Sequence, residues 1–158
     1  MKKLSLIILV ISVLAACGPK TVQQSKKVMK GYWTLDKITY SETGTFNVMM
    51  FDDTSKECLE GSSWRFIPNN NTGLYTVNNE ECPTGNRNFI FTVREMDKEG
   101  GLYDFLLKPT DAKNKSTDSK GFRLRLSQLD DTQMQWQQTV NLDGKPFKIN
   151  MNFFKTEQ

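Results

Sequence analysis

Few residues in this 158-residue chain are equipped for chemistry, and their spacing limits what they can do. Histidine is absent. That rules out Ser-His-Asp and Cys-His relays, in which an imidazole takes and returns a proton near neutral pH, and it rules out imidazole-based metal sites. No Gly-x-x-x-x-Gly-Lys run offers backbone amides to a phosphate. Carboxylates stand side by side at Asp52-Asp53, Glu80-Glu81 and Asp130-Asp131. Neighbours on a strand or turn point in different directions, so these couples read as solvated turn charges and not as two acids converging on one bond. The cysteines are Cys17, Cys58 and Cys82, and the last two cannot by themselves supply a zinc site. The expectation is a protein with no catalytic constellation, no metal and no cofactor, and so not an enzyme.

Cys17 closes the run Leu14-Ala15-Ala16-Cys17, behind Lys2, Lys3 and an apolar stretch from Leu4 to Val13. Charged, then apolar, then small is the grammar of a secretory signal peptide, and the apolar run is too short to span a bilayer. The ending resembles the lipobox of bacterial lipoproteins. That resemblance implies a signal over residues 1–16, a lipidated Cys17 (a palmitate-type acyl anchor) and the membrane as a partner. An ordinary signal peptide with an incidental cysteine is the competing reading. By the same analogy Gly18, which is not Asp, implies delivery to the outer membrane of the bacterial envelope. Gly18-Pro19-Lys20-Thr21-Val22 lacks an acidic cluster, which points to the periplasmic face. An exported chain folds where thiols oxidise, so Cys58 and Cys82 are expected to form a disulfide, worth roughly 3–4 kcal/mol in the chain-entropy model. Two buried reduced thiols are the alternative.

Charge adds little. Lys2 and Lys3 leave with the signal, so 19 of the 21 basic residues face 18 acidic ones. Such a balance gives no broad footprint for nucleic acid. Residues 17–30, with Lys26, Lys27 and Lys30 and few large apolar groups, read as a lipidated cysteine and flexible tether. Those lysines could also meet anionic headgroups.

From residue 31 to 158 the hydrophobic period is two. Phe122-Arg123-Leu124-Arg125-Leu126 and Phe147-Lys148-Ile149-Asn150-Met151-Asn152-Phe153 alternate cleanly. Further strand-like runs are Trp33-Thr34-Leu35, Phe46-Asn47-Val48-Met49-Met50, Trp64-Arg65-Phe66-Ile67, Leu74-Tyr75-Thr76-Val77, Phe89-Ile90-Phe91-Thr92-Val93, Tyr103-Asp104-Phe105-Leu106-Leu107 and Gln133-Met134-Gln135-Trp136. Between them lie turn formers: Ser41-Glu42-Thr43-Gly44, residues 69–73, Cys82-Pro83-Thr84-Gly85-Asn86, Glu99-Gly100-Gly101 and Asp143-Gly144. Residues 109–121 form a longer polar loop, a lid or a mobile surface loop. About eight to nine short strands joined by hairpins predict an all-β domain, an antiparallel barrel or sandwich.

Gly31-Tyr32-Trp33-Thr34-Leu35 resembles the Gly-x-Trp signature that opens the first strand of lipocalins. Cys58, Trp64-Arg65-Phe66, Asn71-Thr72-Gly73-Leu74-Tyr75 and Cys82 together look like the small lipocalin-like lipoproteins of Bacteroidetes. The resemblance implies an antiparallel up-and-down β-barrel with an apolar interior and Trp33 at its closed end. It also implies an arginine packed across that tryptophan, a part Arg123 or Arg125 could play. The second lipocalin signature, Thr-Asp-Tyr, is missing, and Tyr103-Asp104-Phe105 does not replace it.

One apolar stripe remains as a candidate site: Trp33, Leu35, Phe46, Val48, Trp64, Phe66, Phe91, Tyr103, Phe105, Leu124, Trp136, Ile149 and Met151. These residues either line a concavity for a small hydrophobic ligand or fill a solid core. The first outcome predicts a lipid-anchored binding protein. The second predicts a structural or accessory subunit of an outer-membrane protein assembly, recognised through loops on a rigid scaffold.

Overall fold

A chain that alternates apolar and polar residues must bury one face of each strand and wet the other, and closing the sheet on itself buries every apolar face at once. The computed structural model describes residues 22–97, 102–116 and 119–157. The expected signal, Cys17 and the turn at Glu99-Gly100-Gly101 lie outside the described residues. The barrel strands are β1 (Gly31–Tyr40), β4 (Ser63–Ile67), β5 (Thr72–Val77), β6 (Gly85–Asp97), β7 (Leu102–Thr110), β8 (Phe122–Leu129), β9 (Gln133–Leu142) and β10 (Lys145–Thr156). A small ribbon of β2 (Met49–Met50) and β3 (Thr54–Ser55) stands apart from them.

From β4 to β10 every strand pairs antiparallel with the next, and β1 closes the circle between β10 and β4. Trp33 lies opposite Lys155 on one side and opposite Trp64 on the other. The predicted eight-to-nine-stranded antiparallel barrel is therefore an eight-stranded one. Leu124 and Leu126 turn inward while Arg123 and Arg125 stay outside, as their alternation requires. On the outer face of β9 and β10, Gln135 donates to Asn152 at 2.8 Å and Gln137 to Asn150 at 2.9 Å. The hairpin at Asp143-Gly144 turns with positive φ at both positions, 51° and 80°, the conformation that a two-residue connection needs.

The expected ninth strand, Phe46 to Met50, is not in the barrel. Only Met49 and Met50 pair, and they pair with Ser55 and Thr54. Closure between β1 and β4 leaves no free edge for this segment. Residues 41–62 instead fold over one end of the barrel, burying Met50, Phe51 and Leu59. Helix α2 (Lys56–Leu59) carries Cys58, whose disulfide to Cys82 ties the cap to the β5–β6 turn.

The other end is closed by a helix where a tether was expected. Helix α1 spans Val22–Met29, with Ser25 and Met29 buried. Three local features explain it. The last turn of a helix leaves carbonyls without partners; here the Trp33 indole donates to the Met29 carbonyl at 2.8 Å and Lys155 Nζ to that of Val28 at 2.7 Å. Lys26 and Lys27 sit in the last turn, where the helix dipole favours cations. Gly31, at φ 116°, then redirects the chain into β1.

The cation over Trp33 is likewise not the arginine the lipocalin resemblance implied. Lys155 Nζ lies 5.2 Å from the ring centre, because β10 is the strand paired with β1 at that register. Arg123 instead meets Asp104 on the outside, Nε to Oδ2 3.4 Å, and Arg125 is exposed.

Candidate functional site

Of the thirteen-residue stripe, all but Phe46 and Val48 point into the barrel and are buried. The barrel places them around one axis. Phe46 and Val48 lie in the crossing segment and are only partly buried. Phe46 packs at the rim, 5.4 Å from Tyr40 and 4.8 Å from Phe147 between ring centres.

Large rings fill the axis. Trp136 stacks on Phe105 at 4.5 Å and meets Trp64 edge-on at 5.4 Å. Trp64 stacks on Tyr75 at 4.4 Å, and Phe91 on Phe105 at 5.2 Å. Such pairs each add about 0.5–1.5 kcal/mol beyond area burial. The ligand-lining reading of the stripe thus gives way to a packed interior, because these side chains interdigitate where a smaller set would have left room. Gly73 on β5 makes the packing feasible: a Cβ there would run into the Phe89 ring and stand 2.8 Å from the Arg65 carbonyl oxygen.

The concave feature sits at the capped end. A cleft of about 520 Å³ opens between the β2–β3 turn, the upper ends of β5, β6 and β7, and the loop that follows β7. Phe51, Tyr75, Phe89, Leu107 and Phe122 make its apolar part. Asp52, Asp53, Arg87, Asp111 and Lys120 ring it. A wider groove, about 710 Å³, runs past Ile90, Thr92, Leu106 and Lys108. Those four alternate with the inward residues of β6 and β7, so this groove is on the solvent side of the sheet.

The charges around the mouth are mutually engaged. Asp53 Oδ2 accepts from the Tyr75 hydroxyl at 2.9 Å and from Arg87 Nε at 2.7 Å. Arg87 also donates to the Gly85 carbonyl at 2.9 Å and the Pro83 carbonyl at 2.7 Å. Lys120 Nζ meets Asp52 Oδ2 at 2.9 Å. Burial first, and then the neighbouring Asp53 carboxylate, pushes the Tyr75 hydroxyl above the ordinary tyrosine range, so it stays a donor. The wall after β7 is shaped locally: Asp111 Oδ1 accepts from the amides of Lys113 at 2.9 Å and Lys115 at 2.8 Å. Residues 109–112 thus present a folded edge to the cleft.

Asp52 and Asp53 are exposed turn charges, as their sequence reads, and each also ties the β2–β3 turn to a neighbouring element. Their side chains do diverge, one to Lys120 and the other to Arg87 and Tyr75, so no acid couple forms. Phe89, Leu107 and Tyr75 were legible as the inward partners of Phe91, Phe105 and Val77 at spacing two. Phe51 carried no periodic signal, since it belongs to a turn.

Strand order defines a class: a small eight-stranded barrel, closed, antiparallel and up-and-down. Among solved structures the chain is similar to a lipocalin-like protein from Bacteroides uniformis, with a TM-score of 0.49 and 9% identity over 82% of this chain and 99% of that chain. No protein-family model and no curated protein matches the sequence.

Proposed function

We propose that this protein is a lipid-anchored envelope protein that binds a small hydrophobic molecule at the mouth of its barrel, without catalysis. The observation that carries the reading is the cleft floored by buried aromatic rings at the capped end. Burial of apolar ligand surface would drive binding at about 25 cal/mol per Å², less the cost of immobilising the ligand. The anchor is Cys17, the membrane is the outer membrane, and the barrel faces the periplasm. The signal grammar and the residues after Cys17 support this placement. The near balance of acids and bases supports a role away from nucleic acid.

Titration with N-phenyl-1-naphthylamine tests the site. Emission should rise saturably, and Ala112→Trp, an exposed substitution at the cleft wall, should abolish the rise while leaving the fold intact. Saturable binding that Ala112→Trp leaves unchanged, or no binding at all, would reject the mouth as the site. Incorporation of labelled palmitate, lost in Cys17→Ser, tests the anchor.

The filled interior favours a second reading, in which the barrel is a rigid platform for a membrane-protein partner. Cross-linking of the lipidated protein in its native membrane distinguishes the two: one reproducible partner, with no small molecule in native mass spectra, supports the platform.

A further inference from the structure

One ring at the mouth is supplied by a turn and not by a barrel strand. Phe51 sits between β2 and β3, with its ring centre 6.0 Å from Trp64, 6.3 Å from Tyr75 and 5.4 Å from Phe122. It is 4% exposed and also lines the 520 Å³ cleft. Taking this ring away would therefore join a ring-sized space above Trp64 to the existing cleft.

The seat is held under strain. Phe51 and Asp52 have φ of 55° and 54°. That left-handed region is unusual for any non-glycine residue and a true outlier for a bulky one. The ribbon that carries them has two paired positions per strand. It is kept down by side-chain ties: Asp53 to Tyr75 and Arg87, and Asp52 to Lys120, the last of these exposed and weak. The disulfide anchors the next segment of the cap, helix α2.

Two features of the walls restrict what could replace the ring. Arg87 is matched to Asp53, and Lys120 lies beside Asp52, so each cation of the cleft lining already faces a carboxylate. Thr110 lines the cleft, and its buried hydroxyl has no hydrogen-bond partner among the described residues. A buried polar atom of that kind favours a ligand that can bond to it.

We propose that Phe51 is a built-in stopper, and that the mouth takes an uncharged ring-bearing molecule with one hydrogen-bonding group. The ligand ring takes the seat of Phe51 when the β2–β3 turn swings off, and its polar group meets Thr110. This rests on the mouth being the binding site. An occupied seat weakens binding of every ligand by the reciprocal of the fraction of time that it is open.

The probes are 2-naphthol and naphthalene, on the full folded chain, with near-UV circular dichroism as the check on folding. Phe51→Ala should bind 2-naphthol about tenfold tighter than the parent, the tax of a seat closed some nine-tenths of the time. In stopped-flow mixing, the parent's observed rate should reach a plateau with rising probe concentration, set by opening, and Phe51→Ala should show none. Asp53→Ala, which cuts a tie without emptying the seat, should raise the plateau, and this arm decides the matter if Phe51→Ala does not fold. Thr110→Val should erase the preference for 2-naphthol over naphthalene. Equal affinity in parent and Phe51→Ala, with binding still blocked by Ala112→Trp, would overturn the stopper and leave the mouth site standing. A plateau unmoved by Asp53→Ala would overturn it too. An undiminished preference in Thr110→Val would overturn the role of the hydroxyl. Absence of binding in parent and variant alike would defeat the mouth site and the stopper together.

Discussion

At Gly73 the whole barrel depends on the lack of one carbon. The Phe89 ring lies where a side chain would stand, and the Arg65 carbonyl closes the other side. Both neighbours are fixed, one buried in the core and the other part of the strand ladder, so neither can yield cheaply. Gly73→Ala should destabilise the fold by about 1–3 kcal/mol, the usual cost of overpacking. Denaturant titration should show this as a lower midpoint, and adding Phe89→Leu should recover part of the loss. A wild-type midpoint in Gly73→Ala would mean that β5 tolerates the shift. The glycine was visible in the sequence as part of a turn-like stretch. Its steric reason was not, because Phe89 comes from the next strand.

Among the elements, the cap and the helix do what periodicity did not announce. Residues 41–62 carry apolar residues without a sustained period of two, since the cap meets the barrel end through a ribbon, a turn and a short helix. The Cys58–Cys82 bridge holds that cap through a loop of 24 residues. Replacing both cysteines by serine should lower stability by roughly 3–4 kcal/mol in the chain-entropy model. Amide exchange should speed up across residues 41–62 and much less in β8, β9 and β10. Uniform acceleration would show that the bridge stabilises the barrel at large and not the cap. Helix α1 was hidden for a related reason. Its polar sequence makes a weak case alone, and its stability comes from tertiary caps supplied by Trp33 and Lys155.

For the molecule as a whole, closure is the decisive event. β10 pairs with β9 along one edge and with β1 along the other, and it brings Phe147, Ile149, Met151 and Phe153 to the core. Ending the chain before Lys145 would leave two bare strand edges and a gap in the apolar wall. Such a chain should lose its cooperative unfolding transition and its near-UV dichroism, and should elute as aggregate in size-exclusion chromatography. A monomeric truncate with native dichroism would show that seven strands suffice.

The sequence alone determined what is local and repetitive. Alternation at spacing two marked the eight barrel strands and the inward side of each, because a sheet buried on one face admits no other register. The turn residues marked the hairpins, and two cysteines in a chain expected to be exported marked the bridge. Only the tertiary structure decided whether the interior was lined or filled, because that depends on how rings from strands far apart in sequence interlock. It alone turned a presumed tether into a helix, an expected strand into a cap, and Phe51 into the ring that occupies the mouth. Each of those outcomes is set by partners many residues away, which local pattern cannot encode.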